Sequence, residues 1–180
     1  MKPTLFWAWQ SDAENNVCRG FIKNAAEKAL KALMKSGEVQ DAPRIDHATN
    51  EVSGTPELAG TIYAKIEAAG LFLGDITLVG RIGEKKRTPN SNVLLETGYA
   101  AHCMGWDRVI LVMNTHEQFG PPEDLPFDLK NRRFPLTYTL GPDDDKVSVR
   151  EQLVTNMTDA IQDARNKEHN AVERIISQLL

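Results

Sequence analysis

The chain is predicted to fold as an α/β domain: a five-stranded, mainly parallel sheet with helices on both faces. Short apolar or aromatic runs alternate with stretches whose apolar residues recur at helical spacing, the pattern of repeated βαβ units. The run Arg108-Val-Ile-Leu-Val-Met113 is apolar after its first residue, as a central parallel strand covered on both faces must be. The 180 residues, 41% hydrophobic and 26% charged, suffice for one domain with a substantial core.

Taken in order, Thr4-Leu-Phe-Trp-Ala-Trp9 is short and aromatic and reads as a first strand. After the polar turn Gln10 to Asn16, Phe21/Ile22, Ala25/Ala26, Ala29/Leu30 and Leu33 mark a helix that Ser36-Gly37 ends. Pro43-Arg-Ile45 is a short second strand. Thr55-Pro56-Glu57 supplies a cap, a first-turn proline and an acid, starting a helix to about Ala69 with Leu58, Ile62 and Ile66 on one face. Leu71 to Asp75 is the third strand, Arg81 to Pro89 a loop, and Asn90 to Met104 a third helix, with Asn90 its N-cap and Val93, Leu94 and Leu95 its anchors. Arg108 to Met113 is the fourth strand. Gly120-Pro-Pro and Pro126 leave the next connection mostly loop. Arg132 to Leu140 is a fifth strand, placed at an edge by Pro135. Ser148 to Arg165 is a helix with Val149, Leu153, Met157, Ile161 and Ala164 inward. The polar stretch Asn166 to Asn170 breaks that periodicity, which Ala171 to Leu180 resumes. Residues 1–165 thus form the domain and 166–180 a helical extension. With right-handed crossovers the economical arrangement is flavodoxin-like.

A net charge of −4 argues against a broad nucleic-acid surface. No apolar stretch approaches the roughly 20 residues of a membrane span, and no signal peptide precedes the first strand, so a cytoplasmic protein is expected. Cys18 and Cys103 lie far apart in helical, apolar patterns and are read as buried, reduced thiols. The four histidines show no metal-ligand spacing, and no Walker or Gly-x-Gly-x-x-Gly loop follows a strand. No metal and no resident cofactor are expected.

In such a sheet, ligands sit beyond the carboxyl ends of the strands where strand order reverses. Polar residues collect there. Trp9, Gln10, Ser11 and Asp12 follow the first strand, Asp46 and Thr49 the second, Asp75 and Thr77 the third, while Asn90 and Asn92 open the third helix. About a turn inside that helix stands Glu96, a carboxylate among small and apolar residues. Each residue also has a plainer explanation, as turn former, cap or first-turn acid.

The motifs Trp9-Gln-Ser-Asp12, Ile45-Asp-His-Ala-Thr49, Gly54-Thr-Pro-Glu57, Gly74-Asp-Ile-Thr77, Pro89-Asn-Ser-Asn-Val-Leu-Leu-Glu-Thr-Gly-Tyr-Ala100 and Leu125-Pro-Phe-Asp-Leu129 together resemble bacterial TIR-like nucleotide-binding domains. These are related in fold to nucleoside deoxyribosyltransferases. The resemblance covers about Thr4 to Leu140. It implies that Glu96 is catalytic and that an N-glycosidic bond is cleaved, in TIR enzymes the nicotinamide–ribose bond of NAD, which is then substrate rather than cofactor. It also implies a bacterial defence or signalling effector that works when self-associated. Two other readings stay open at this point: a non-catalytic nucleotide sensor or assembly module, and base exchange between nucleosides. The stripe Val172, Ile175/Ile176 and Leu179 either folds back on the domain or pairs with a second copy.

Overall fold

The computed structural model describes residues 4–37, 44–47, 58–83, 86–130 and 135–179, with backbone alone for residues 58 and 168–179. Its elements are β1 (Thr4–Ala8), α1 (Arg19–Lys35), β2 (Arg44–Asp46), α2 (Leu58–Ala68), β3 (Leu71–Asp75), β4 (Gly80–Ile82), β5 (Lys86–Thr88), α3 (Ser91–Met104), β6 (Val109–Asn114), α4 (Phe127–Lys130), β7 (Leu136–Tyr138) and α5 (Lys146–Leu179). The five-stranded sheet has the order β2-β1-β3-β6-β7, and every neighbouring pair is parallel. Strand order reverses between β1 and β3. This is the doubly wound, flavodoxin-like arrangement that the alternating pattern predicts. The start cap Thr55-Pro56-Glu57 lies outside the described residues.

Side-chain alternation along the strands builds two cores. Leu5 and Trp7 of β1 and Leu71 and Leu73 of β3 face α1 and α5, whose Phe21, Ile22, Leu153, Met157 and Ile161 complete that core. Phe6 and Phe72, stacked 6.0 Å apart, belong to the opposite core with Ile66 of α2 and Val93 and Ala100 of α3. Gly74 lets α3 approach β3 closely. A Cβ there would lie 2.9 Å from a Phe72 ring carbon and 3.2 Å from the Thr97 hydroxyl.

Four expectations are corrected. The stretch from Arg81 to Pro89 is not plain loop: β4 and β5 form an antiparallel hairpin apart from the main sheet. Half of its strand residues are charged and only Ile82 is apolar, so no apolar alternation marks them, and Gly83 turns the chain with φ +64°. Leu95 does not anchor α3, because it is 64% exposed while Val93 and Thr97 carry the buried face. Cys103 is exposed on α3; Cys18 alone is buried. The helix α5 runs unbroken from Lys146 to Leu179 through the polar stretch 166–170. Losing an apolar stripe removes a packing face, whereas the lysine and glutamate there favour helix and no glycine or proline ends it.

The close approach at Gly74 has a measurable cost when filled. Gly74→Val should lower stability by roughly 1–3 kcal/mol, the usual range for overpacking. Urea unfolding followed by circular dichroism reads this directly, and an unchanged midpoint would contradict the contact described.

Candidate functional site

Beyond the carboxyl ends of β1, β3 and β6 the polar residues form a connected network on the α1/α5 face. Gln10 is buried, and its Oε1 accepts from the backbone N–H groups of Asp12 (2.6 Å) and Ala13 (3.1 Å). Its Nε2 donates to Asp75 Oδ2 at 3.2 Å. Asp75 Oδ1 accepts from both the backbone N–H (3.1 Å) and the hydroxyl (2.6 Å) of Thr77. That hydroxyl in turn accepts from the Asn114 N–H at 3.0 Å. Burial pushes the Asp75 carboxyl above its ordinary value, opposed by the donors of Thr77 and Gln10. The neighbouring Cys18 thiol is pushed up to about 12, chiefly by burial and then by the Asp75 charge. Such a thiol is no nucleophile at neutral pH.

Asn114 is the residue that sequence reasoning missed. Its Nδ2 donates to the carbonyls of Val17 (3.1 Å) and Leu140 (2.8 Å), and its Oδ1 accepts from the N–H groups of His116 (3.0 Å) and Leu140 (3.1 Å). Tyr138 adds a hydroxyl bond to the same Val17 carbonyl at 2.7 Å. One side chain thereby ties the ends of β6 and β7 to the loop before α1. The available signal was an amide closing the most apolar run of the chain.

The remaining rim residues are distributed differently. Asn90 caps α3, accepting from the Asn92 and Val93 N–H groups at 2.9 and 3.3 Å, and its Nδ2 donates to Asp12 Oδ2 at 2.6 Å. The loop after β1 is thus joined to the start of α3 across the switch point. Ser11 and Asn92 are exposed at this junction. Asp46 accepts from Lys65 Nζ at 3.0 Å and from the His47 N–H at 2.7 Å. The half-buried Trp9 ring lies beneath the Arg19 guanidinium at 4.4 Å, with the His47 ring edge-on at 6.5 Å. Thr49 falls outside the described residues.

Glu96 stands apart from the network. It is half-buried in the second turn of α3, beside Thr97, whose hydroxyl sits over Gly74. Among the described residues its carboxylate has neither a hydrogen bond nor an ion pair. Burial alone raises its pKa from the ordinary 4.5 to about 7. One turn further from the rim, the Tyr99 ring packs at a tilt against Tyr63 of α2, centroids 4.3 Å apart, and its hydroxyl donates to Glu67. Because Leu71, Leu73 and Asp75 alternate with Phe72 and Gly74, the Asp75 carboxyl and the α3 helix lie on opposite faces of the sheet. The structure therefore separates the predicted residues into two groups. Gln10, Asp75 and Thr77 are at most 2% exposed and already bonded to protein. Trp9, Ser11, Asp12, Asp46, Asn90, Asn92 and Glu96 retain accessible surface. No group of three or more His, Cys, Asp or Glu among the described residues is placed to hold a metal. No described helix is long and apolar enough to cross a membrane.

The strand order and the three layers define a flavodoxin-like α/β domain. A flavodoxin-like domain of a Synechococcus protein is similar in structure, at 12% identity and a TM-score of 0.46, over 88% of this chain and 96% of that one. No family model and no curated protein matches the sequence.

Removing the Asn114 amide takes the side-chain partner from the His116 and Leu140 N–H groups and from the Leu140 carbonyl, while the Val17 carbonyl keeps the Tyr138 hydroxyl. Asn114→Ala should therefore cost about 3 kcal/mol or more, since an unsatisfied buried group costs roughly 1–3 kcal/mol. Denaturant titration tests this; a loss below about 1 kcal/mol would show that the loop finds other partners.

Proposed function

We propose that this domain binds a nucleotide at the switch point and hydrolyses an N-glycosidic bond, the nicotinamide–ribose bond of NAD in the TIR-like reading. The observation that carries the proposal is Glu96. A carboxyl group half-desolvated in the second turn of a helix, with no protein partner among the described residues, gains nothing for folding from its charge. Its pKa near 7 is the kind of perturbation that accompanies reacting groups.

The chemistry asks little of the protein. As the bond from ribose C1′ to the cationic pyridinium lengthens, its electron pair leaves with the nicotinamide, which departs neutral. Positive charge develops on C1′ and the ring oxygen. An ionised Glu96 close to that sugar stabilises the charge electrostatically. Water then adds to C1′ and releases one proton, giving ADP-ribose. No strong general acid is required, because the leaving group carries its positive charge from the start.

The rim divides the labour in this reading. The joined Asp12–Asn90 pair holds the loop after β1 against α3, and Ser11, Asp12, Asp46 and Asn92 offer groups to ribose hydroxyls. Gln10, Asp75 and Thr77 hold these loops in place from beneath. Self-association and a role as a defence or signalling effector belong to the same proposal.

Glu96→Gln should lower nicotinamide release by roughly a hundredfold or more, as for loss of a group that acts in the transition state. Chromatography after incubating concentrated protein with NAD measures it. Wild-type release should rise as pH climbs through about 7, because the carboxylate must be ionised. The mutant should show no such rise, and equal rates in both proteins would sink the assignment.

Stability supplies an independent check with a defined sign. A carboxyl whose folded pKa lies above its unfolded value holds its proton more tightly when folded. Wild-type stability contributed by this group is therefore fullest below 4.5 and falls as pH rises to about 7. Glu96→Gln should remove that decline, so unfolding midpoints of the two proteins should diverge in favour of the mutant above pH 7. Parallel pH profiles would mean that Glu96 is not desolvated.

A further inference from the structure

We infer that the cluster of Trp9, Arg19, Lys23 and His47 is a phosphate subsite, which selects phosphorylated nucleotides over nucleosides. The inference deepens the nucleotide-binding reading above and rests on it for the location of the ligand.

Arg19 is the centre of the argument. Its guanidinium carbon lies over the Trp9 ring, 4.4 Å from the centroid, and its Nε donates to Asn15 Oδ1 at 3.1 Å. The loop carrying Asn15 is itself pinned, because the Gly20 N–H donates to the Asn15 carbonyl at 2.8 Å. A Cβ on Gly20 would come within 2.8 Å of the Asn15 amide, so the absence of a side chain at position 20 permits the arrangement. Both terminal Nη groups of Arg19 are left without a partner among the described residues, and no carboxylate pairs with it. A guanidinium fixed through its ring face and Nε presents its outer edge as a ready fork for a phosphate or carboxylate.

The surroundings favour an anion. Lys23 follows Arg19 by one helical turn and, among the described residues, its ion pair is with Glu27, at 3.9 Å on an exposed face. After burial, Lys23, Lys65 and Arg19 all depress the His47 imidazole, with Asp46 the one carboxylate acting the other way. Asp46 is already paired with Lys65 at 3.0 Å. Among the described residues, Arg19 has no ion pair and Lys23 a long, exposed one, so both supply positive charge here in a chain of net charge −4. The first turn of α1 carries no acidic residue and no side-chain cap, so the helix end adds to the same field. Trp9 gives the cluster a flat aromatic surface beside the cations.

Isothermal titration with AMP and with adenosine tests the inference without any turnover. AMP should bind the wild-type chain at least about tenfold more tightly than adenosine, the discrimination expected of charge-assisted bonds to one phosphate. Arg19→Gln should remove that preference by weakening AMP alone. Lys23→Gln, on an exposed face, should weaken it to a smaller degree. Thermal melts establish that each variant is folded, and Lys23→Gln carries the test should Arg19→Gln fail to fold. Equal affinity of the wild type for AMP and adenosine, no binding of AMP, or an unchanged preference in the folded variants would each overturn the subsite. A phosphate preference without nicotinamide release would instead leave the subsite standing and remove the hydrolytic reading.

Discussion

The rim depends on one buried charge and the chain of donors arranged around it. Asp75 ends β3 with no exposed surface, and three donors converge on it: the Gln10 amide, the Thr77 hydroxyl and the Thr77 backbone. The chain continues through Thr77 to Asn114, and from Asn114 to the loops before α1 and after β7. A lone buried carboxylate would be prohibitive in free energy, and these partners make it tolerable. The same bonds stop the four loops at one edge of the sheet from moving independently. The loops of the rim are in this way tied to one another and to the strands that support them.

On that frame the two faces have different roles. The α1/α5 side carries the Asp75 network, the Cys18 thiol and the clamped Arg19. The α2/α3 side carries Glu96 and the tilted Tyr63–Tyr99 pair. The Asn90–Asp12 bond bridges them where strand order reverses. A ligand lying across the switch point would meet cationic and aromatic groups at one end and, towards the other, the half-buried Glu96 carboxylate, which has no partner among the described residues. That polarity suits a molecule with an anionic end and an electron-poor sugar, the combination that the two proposals share.

Much of the fold was legible because burial imposes period. The helix α1 and the buried stripe of α5 follow from apolar spacing, and β6 from its unbroken apolar run. The Asn90 cap follows from local hydrogen-bonding chemistry that needs no tertiary context. What stayed hidden has a physical reason in each case. The β4–β5 hairpin is charged on both strands, so nothing in hydropathy distinguishes it from loop. Residues 166–170 of α5 continue the helix without an apolar stripe, which imitates a break. At the site, position was legible and partnership was not. Asp12, Asp75 and Asn90 all read as polar rim residues, yet their partners lie far off in the chain: Asn90 donates to Asp12 across 78 positions, and Gln10 donates to Asp75 across 65, joined there by the neighbouring Thr77. Asn114 escaped notice because a single amide after an apolar run looks like ordinary strand termination.

Gln10 shows how narrow the chemistry at such a point becomes. One end of its side chain must accept from two backbone amides, while the other must donate to a carboxylate. A primary amide offers both polarities on one planar group, with two lone pairs on its oxygen for the two backbone donors, where a neutral imidazole has one. Glutamate would set two like charges face to face, asparagine is one methylene shorter, and methionine or leucine would answer neither demand. Among the natural amino acids the position has a vocabulary of one word.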